Sequence, residues 1–458
     1  MAKGDPSPPS PKPDEPDALG TCAFGGGKCL DEEAGALPAT GHACREIGCP
    51  CNANDAPPGS AWSTRVYCEL RRVVLNFSPS WFSVTMGTGM MALVLRSEPY
   101  QFRGLDIISD IVFALNVFLF CLFLLVGIFR YLAWPHTLIL MLLHPSQSLY
   151  VGTFAMGFAT IVNLVAVACA EPWGYRYSML GWVLWWIDAS LAFVVCIGML
   201  FLMFTRHSRS FHELSALWLL PVVCPVVSAS SGSMVANTLT VTPARITVVI
   251  SWFLYGMGLV LCFMLLTMYF ARLAVHKIPP PSQIASTFLP LGPCGQGAYT
   301  VLKLSQSSYN MAHRLGEWLL SSDLTTDAEA RVMGTALYAC SIPMALILWG
   351  VGLVCLILAL LYVLDIALIG RFRFNLGWWG TVYPLGVFTL ATMELAHDLN
   401  STTLRVISTI LLFLELIVWL IMVVWSVRRI YLRQLYVAPC LQDTDEPTTM
   451  SNARKYVY

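Results

Sequence analysis

Charge is what this chain has least of. Only 12% of its 458 residues are Asp, Glu, Lys or Arg, against about 25% in a soluble globular domain. Acidic and basic residues balance at 27 each, so no basic excess points to nucleic acid or to a strongly anionic membrane surface. Catalytic signatures are missing too. There is no phosphate-binding loop, no nucleophile elbow and no H-E-x-x-H, which argues against an enzyme. The opening run MAKGDPSPPSPKPDEPD holds no apolar core, so no cleaved signal peptide is expected and the first membrane helix directs insertion. Cys22, Cys29, Cys44, Cys49 and Cys51, with His42 nearby, lack a paired C-x-x-C framework. They read as reduced thiols in a cytosolic tail, and neither metal nor cofactor is expected.

Apolar residues dominate instead, at 57%. Runs long enough for a bilayer, about 20 residues each, recur ten times, so the chain reads as an all-α polytopic membrane protein. The runs are Trp81–Leu95, Ile107–Phe129, Ser148–Ala170, Met179–Phe204, Glu213–Ser231, Ile246–Ala271, Ala285–Leu302, Gly334–Ile369, Phe374–Leu395 and Leu404–Val427. Residues 1–64 are rich in Pro, Gly and Asp without periodicity and read as a disordered cytosolic tail. Residues 65–433 form the transmembrane domain, and 434–458 read as a second disordered tail.

The ten runs alternate in character. The odd-numbered ones are broken: Gly87 and Gly89 in the first, Gly152 and Gly157 in the third, Pro221 and Pro225 in the fifth. The seventh holds Pro290, Gly292, Pro293, Gly295 and Gly297; the ninth holds Gly377, Gly380, Gly386 and Pro384. Proline removes a backbone donor and clashes with the preceding turn, and in lipid a freed carbonyl must find another partner. Broken helices therefore belong inside protein or against a water-filled path. The even-numbered runs are smoother, although Pro343 interrupts the eighth. The pattern predicts five helical hairpins, with odd helices inside around a central pore and even helices facing lipid. A ten-helix bundle with scattered kinks is the plainer alternative, since Gly and Pro are common in transmembrane helices.

Lys and Arg near the run ends number thirteen on one side and eight on the other. The positive-inside rule then puts both termini in the cytosol.

The odd runs, as bounded above, contain no Lys or Arg. A site that gripped an anion tightly would normally use one. Weaker fields suit passage better: helix N-termini at the breaks, and hydroxyl or amide groups such as Thr85, Thr88, Ser228, Ser230, Ser231 and Gln296. The same groups can instead cap freed backbone. Phe374, spaced F-x-x-x-W-W before Trp378 and Trp379, reads either as an interfacial belt or as a ring that closes a narrow path. Asp188 and Glu415 lie within smooth runs, where an ionisable group is a functional candidate by default. Proton coupling and an inter-helix hydrogen bond are both open to them.

Six stretches carry a family resemblance: NFSPSWFSVTMGTG, GTFAMGFATIVN, VLWWIDASL, LPVVCPVVSASSG, HKIPPPSQIASTFLPLGPCGQGAYTVL and FNLGWWGTVYPLGVFTLATMEL. Together they resemble the fungal sulfite efflux pumps of the tellurite-resistance/dicarboxylate transporter family, which also includes plant slow anion channels. The resemblance covers about Pro79 to Val427. It implies ten helices in five hairpins with kinked odd helices lining a pore, a homotrimer with one pore per subunit, and a small anion as substrate. It also implies an occluding phenylalanine in the ninth segment, which looks like Phe374, with Phe388 the other alignment. The expectation is a plasma-membrane exporter of sulfite. A malate carrier of the same family is the runner-up, and a non-transporting membrane sensor is the alternative from another class.

Overall fold

The computed structural model describes residues 70–170, 174–207, 211–277, 283–315, 326–368 and 375–432. Ten long helices carry them: α1 Phe82–Ser97, α2 Leu105–Ala133, α3 Val151–Leu164, α4 Tyr175–Thr205 and α5 Leu219–Ala236, then α6 Val241–His276, α7 Leu291–Leu315, α8 Asp327–Leu368, α9 Val382–Asp398 and α10 Thr402–Tyr431. A two-turn helix, His136–Leu143, bridges α2 to α3, and a π-helical turn, Val165–Ala170, ends α3. Among the described residues there is no strand.

Odd and even helices differ in length for a physical reason. At 1.5 Å per residue, a 16-residue helix such as α1 spans about 24 Å, short of the roughly 30 Å hydrocarbon core. Such a helix must be completed by other backbone and shielded by protein. Each odd helix is in fact preceded by a 3₁₀ turn: Pro79–Trp81, Ser148–Tyr150, Ala216–Trp218, Ile284–Phe288 and Leu376–Thr381. Prolines cluster there. Pro79 opens the first turn, while Pro221 and Pro384 stand third in their α-helices, where the missing N–H has no intrahelical acceptor to lose. The breaks therefore fall mostly at helix starts rather than in mid-membrane. Pro225 is the exception, inside α5, and Pro343 sits within an otherwise continuous α8.

Burial follows the same division. In the most apolar 18-residue window of each even helix only 22–44% of residues are buried, against 67% in the third segment and all of the fifth. Among the described residues, seven helical spans are long and apolar enough to cross a membrane: the five even helices, and α3 and α5 taken with their flanking turns as Ser148–Ala168 and Ala216–Ala236. This is a multi-pass membrane protein. The odd helices pack on one another in sequence, α1 on α3, α3 on α5, α5 on α7, α7 on α9, and α9 back on α1.

A polar side chain from each even helix reaches the next odd helix. Asn116 on α2 donates to Thr160 on α3 at 3.3 Å. Trp185 on α4 donates through Nε1 to the Ser228 carbonyl on α5 at 3.0 Å, and Trp252 on α6 to Ser308 on α7 at 3.4 Å. Trp349 on α8 donates to Thr392 on α9 at 2.8 Å, and Trp419 on α10 to Thr88 on α1 at 3.3 Å. The brace is repeated five times around the molecule, four times by tryptophan.

Candidate functional site

Where the five odd helices converge, a small void opens. Its lining takes Met86 from α1, Met156 from α3, Leu219, Leu220 and Val223 from α5, and Leu289, Gly292 and Pro293 at the start of α7. Tyr383 and Pro384 at the start of α9 complete it. The volume is about 10 Å³, barely room for one water, and thioether and aliphatic side chains offer that water almost no partner. These side chains form an apolar collar around the void.

Its electrostatics come from backbone. The first turns of α5, α7 and α9 meet at this point, so the positive ends of three helix dipoles lie around one place. That arrangement favours an anion without a fixed cation. Tyr383 also joins the void to a buried polar network. Tyr383 Oη donates to Gln296 Oε1 at 3.3 Å, and Gln296 Nε2 donates to Ser230 Oγ at 2.8 Å and to Thr300 Oγ1 at 3.2 Å. Thr300 in turn donates to the Val226 carbonyl at 3.3 Å. One amide thus ties α5, α7 and α9 together.

The residues singled out from sequence separate into groups. Gly292, Pro293 and Pro384 line the void, while Gln296 and Ser230 form the network beyond it. Pro290 precedes α7, and Gly380 sits in the turn before α9. Thr85 and Ser231 return their hydroxyls to the Phe82 and Val227 carbonyls, and Thr88 accepts from Trp419. Gly87, Gly89, Gly157, Gly295 and Gly297 are places where neighbouring helices touch, and Pro225 packs on Gly258 of α6. At Gly152 an added Cβ would lie 2.7 Å from the Leu220 carbonyl carbon, so α3 and α5 approach backbone to backbone there. Gly377 faces Asn375 and Tyr150.

Phe374 lies outside the described residues, as does the cysteine-bearing tail. Phe388 turns away from the void and stacks on Trp349 of α8 with ring centroids 5.5 Å apart. Asp188 is buried against α5, its carboxyl facing the Ser228 hydroxyl. Glu415 is fully buried, and neither of its oxygens has a hydrogen-bond partner among the described residues.

Two features were missed in sequence. Met86, Met156, Leu220 and Val223 look like ordinary packing residues, and nothing in their spacing marks a collar. Tyr383 was passed over for Phe374, although a tyrosine directly before the proline that starts α9 was a usable signal. The odd runs hold no Lys or Arg within their bounds, but two of the helices run past those bounds. α1 continues to Ser97 and takes in Arg96, and α7 continues to Leu315 and takes in Lys303 and Arg314. The polar composition of α7 beyond Leu302 hid its length.

Residues 76–427 match the SLAC1 voltage-dependent anion channel family. The chain belongs to that family. It is 39% identical over 364 residues to a sulfite efflux pump of Arthroderma benhamiae, covering 79% of this chain and 93% of the relative. The sulfite efflux pump of Trichophyton rubrum is 38% identical over the same shares. A malic acid transport protein of Schizosaccharomyces pombe is 22% identical over 84% of this chain and 85% of its own.

Proposed function

We propose that the chain exports sulfite across the plasma membrane, with both termini in the cytosol and ten helices arranged as five hairpins around a central path. The observation that carries this reading is the void at which all five odd helices meet, ringed by helix N-termini and lacking a cation of its own. A cation there would hold the anion; dipoles attract it and let it go. The similarity to sulfite efflux pumps at 38–39% identity supports sulfite over malate. So does the narrow collar, through which a four-carbon diacid passes less readily than a compact oxyanion.

Met86, Met156, Leu220 and Tyr383 close the path, because dehydrating an anion against apolar side chains is costly. Phe374, nine residues before Tyr383 in the chain, is the other candidate for the closing ring, the one that the family resemblance names. Asp188 and Glu415 are the candidates for proton coupling. Lipid covers the even helices, and a homotrimer with one path per subunit is the assembly to look for.

The test is flux through purified protein in liposomes, with sulfite, chloride and malate compared with and without a pH gradient. Sulfite flux should exceed malate flux. Malate flux exceeding sulfite flux would reverse the assignment.

A further inference from the structure

Beyond the Tyr383–Gln296 contact the same two helices meet once more. Lys303 is seven residues past Gln296 on α7, hence on the same face and about 10 Å further along. Glu394 is eleven residues past Tyr383 on α9, again on the same face and about 16 Å along. The two side chains pair, Lys303 Nζ to Glu394 oxygen at 2.8 Å. Lys303 also reaches Gln306 Oε1 at 3.4 Å and lies 5.9 Å from the Tyr299 ring centre.

Three features set this pair apart from a structural tie. It joins two inner-ring helices on the face that carries Gln296 and Tyr383. Both side chains keep contact with solvent, at 22% and 13% of their full exposure. And Lys303 is the one Lys or Arg in the middle turns of an odd helix; Arg96 and Arg314 stand in the last turns of theirs.

We propose that Lys303 is a second anion site on the path, on the far side of the collar, and that Glu394 is the internal anion occupying it between passages. With 22% and 13% of their full exposure left, the ammonium and carboxylate are still reached from outside, so a small oxyanion of one or two negative charges can compete with the carboxylate for the ammonium. Lys303 then holds the substrate through its N–H donors. The released Glu394 adds a negative charge beside it, which drives the substrate off as the carboxylate returns. Only non-covalent partners are exchanged. The ligand class is a compact oxyanion, sulfite first, on the reading given above.

The experiment measures sulfite flux against concentration in liposomes for the wild type, Lys303→Gln, Glu394→Gln, the double variant of these two, and Lys303→Arg combined with Glu394→Gln. Glu394→Gln should lower the half-saturating concentration at least about threefold and lower maximal flux, because the site loses its competitor. Lys303→Gln should raise half-saturation by a similar factor, and the double variant should behave like it. Lys303→Arg combined with Glu394→Gln should tighten half-saturation at least about twofold against Glu394→Gln alone, because the planar fork grips an oxyanion through two donors and no carboxylate competes for it. It also keeps the test open where Lys303→Gln does not fold.

Wild-type half-saturation in every folded variant would overturn the latch alone. So would loss of folded protein in each single variant with recovery of fold and flux in the double, which marks a structural tie. No flux of any of the three anions in the wild type would overturn both the latch and the export reading.

Discussion

Gly386 of α9 runs so close to Glu415 of α10 that a Cβ added at Gly386 would lie 2.5 Å from the Glu415 Oε1 atom and 2.3 Å from Met90 Cγ. A carboxyl from an outer helix therefore presses against an inner-helix backbone with no side chain between them. Gly386→Val should destabilise the fold by about 1–3 kcal/mol through overpacking, read as a lowered melting temperature in detergent. Glu415→Gln keeps the shape and removes the ionisable group, so it should melt no lower than wild type, since a lone buried carboxylate is expensive. If Glu415 couples proton movement to transport, its Gln variant should also lose the dependence of sulfite flux on a pH gradient. Retention of that dependence would pass the role to Asp188.

The tryptophan braces make a second expectation. Trp185→Phe, Trp349→Phe and Trp419→Phe each delete one hydrogen bond while keeping most of the aromatic area, and each should cost roughly 1 kcal/mol. The three sites lie on different helix pairs, so their effects on melting temperature should add. A single brace variant costing nothing would show that water replaces the indole at that site.

Gly152 gives the sharpest steric test. Its missing Cβ would face the Leu220 and Pro221 backbone at 2.7–2.9 Å, and backbone cannot rotate away as a side chain can. Gly152→Ala should therefore destabilise by about 1–3 kcal/mol, more than Ala at Gly198, where nothing lies within 4 Å. Equal melting temperatures for the two variants would contradict the close approach of α3 and α5.

Orientation can be checked in cells. With both termini inside, protease added outside should spare tags at either end and should cut a site inserted at Thr325, between α7 and α8. Cleavage of the N-terminal tag from outside would invert the topology.

Much of the fold was legible in the sequence because lipid imposes so few solutions. Each of the ten apolar runs falls on a helix among the described residues, seven of these spans being long and apolar enough to cross a membrane, and the broken runs are more buried than the smooth ones. The helix starts were less legible. Glu213 was placed within the fifth membrane run, whereas it sits in a 3₁₀ turn and α5 begins at Leu219 and continues to Ala236. A proline can begin a helix as easily as kink it, and composition alone does not separate the two. The five braces were invisible for another reason. Asn116, Trp185 and Trp349 reach partners 44, 43 and 43 residues ahead, but Trp252 reaches 56 ahead and Trp419 back to Thr88. The period is regular only in space. The collar was hidden because methionine, leucine and valine read as core wherever they occur.

Tyr383→Ala tests the central claim, that the anion passes where the odd helices meet. It removes the ring from the collar and frees Gln296 Oε1 to face the path. Sulfite flux in liposomes should rise several-fold with folded protein retained, Tyr383→Phe should stay near wild type, and Phe374→Ala, measured beside them, should change flux less than Tyr383→Ala does. Folded Tyr383→Ala protein whose sulfite flux is unchanged or lower, beside Phe374→Ala protein whose flux rises, would contradict the collar as the closed point of the path.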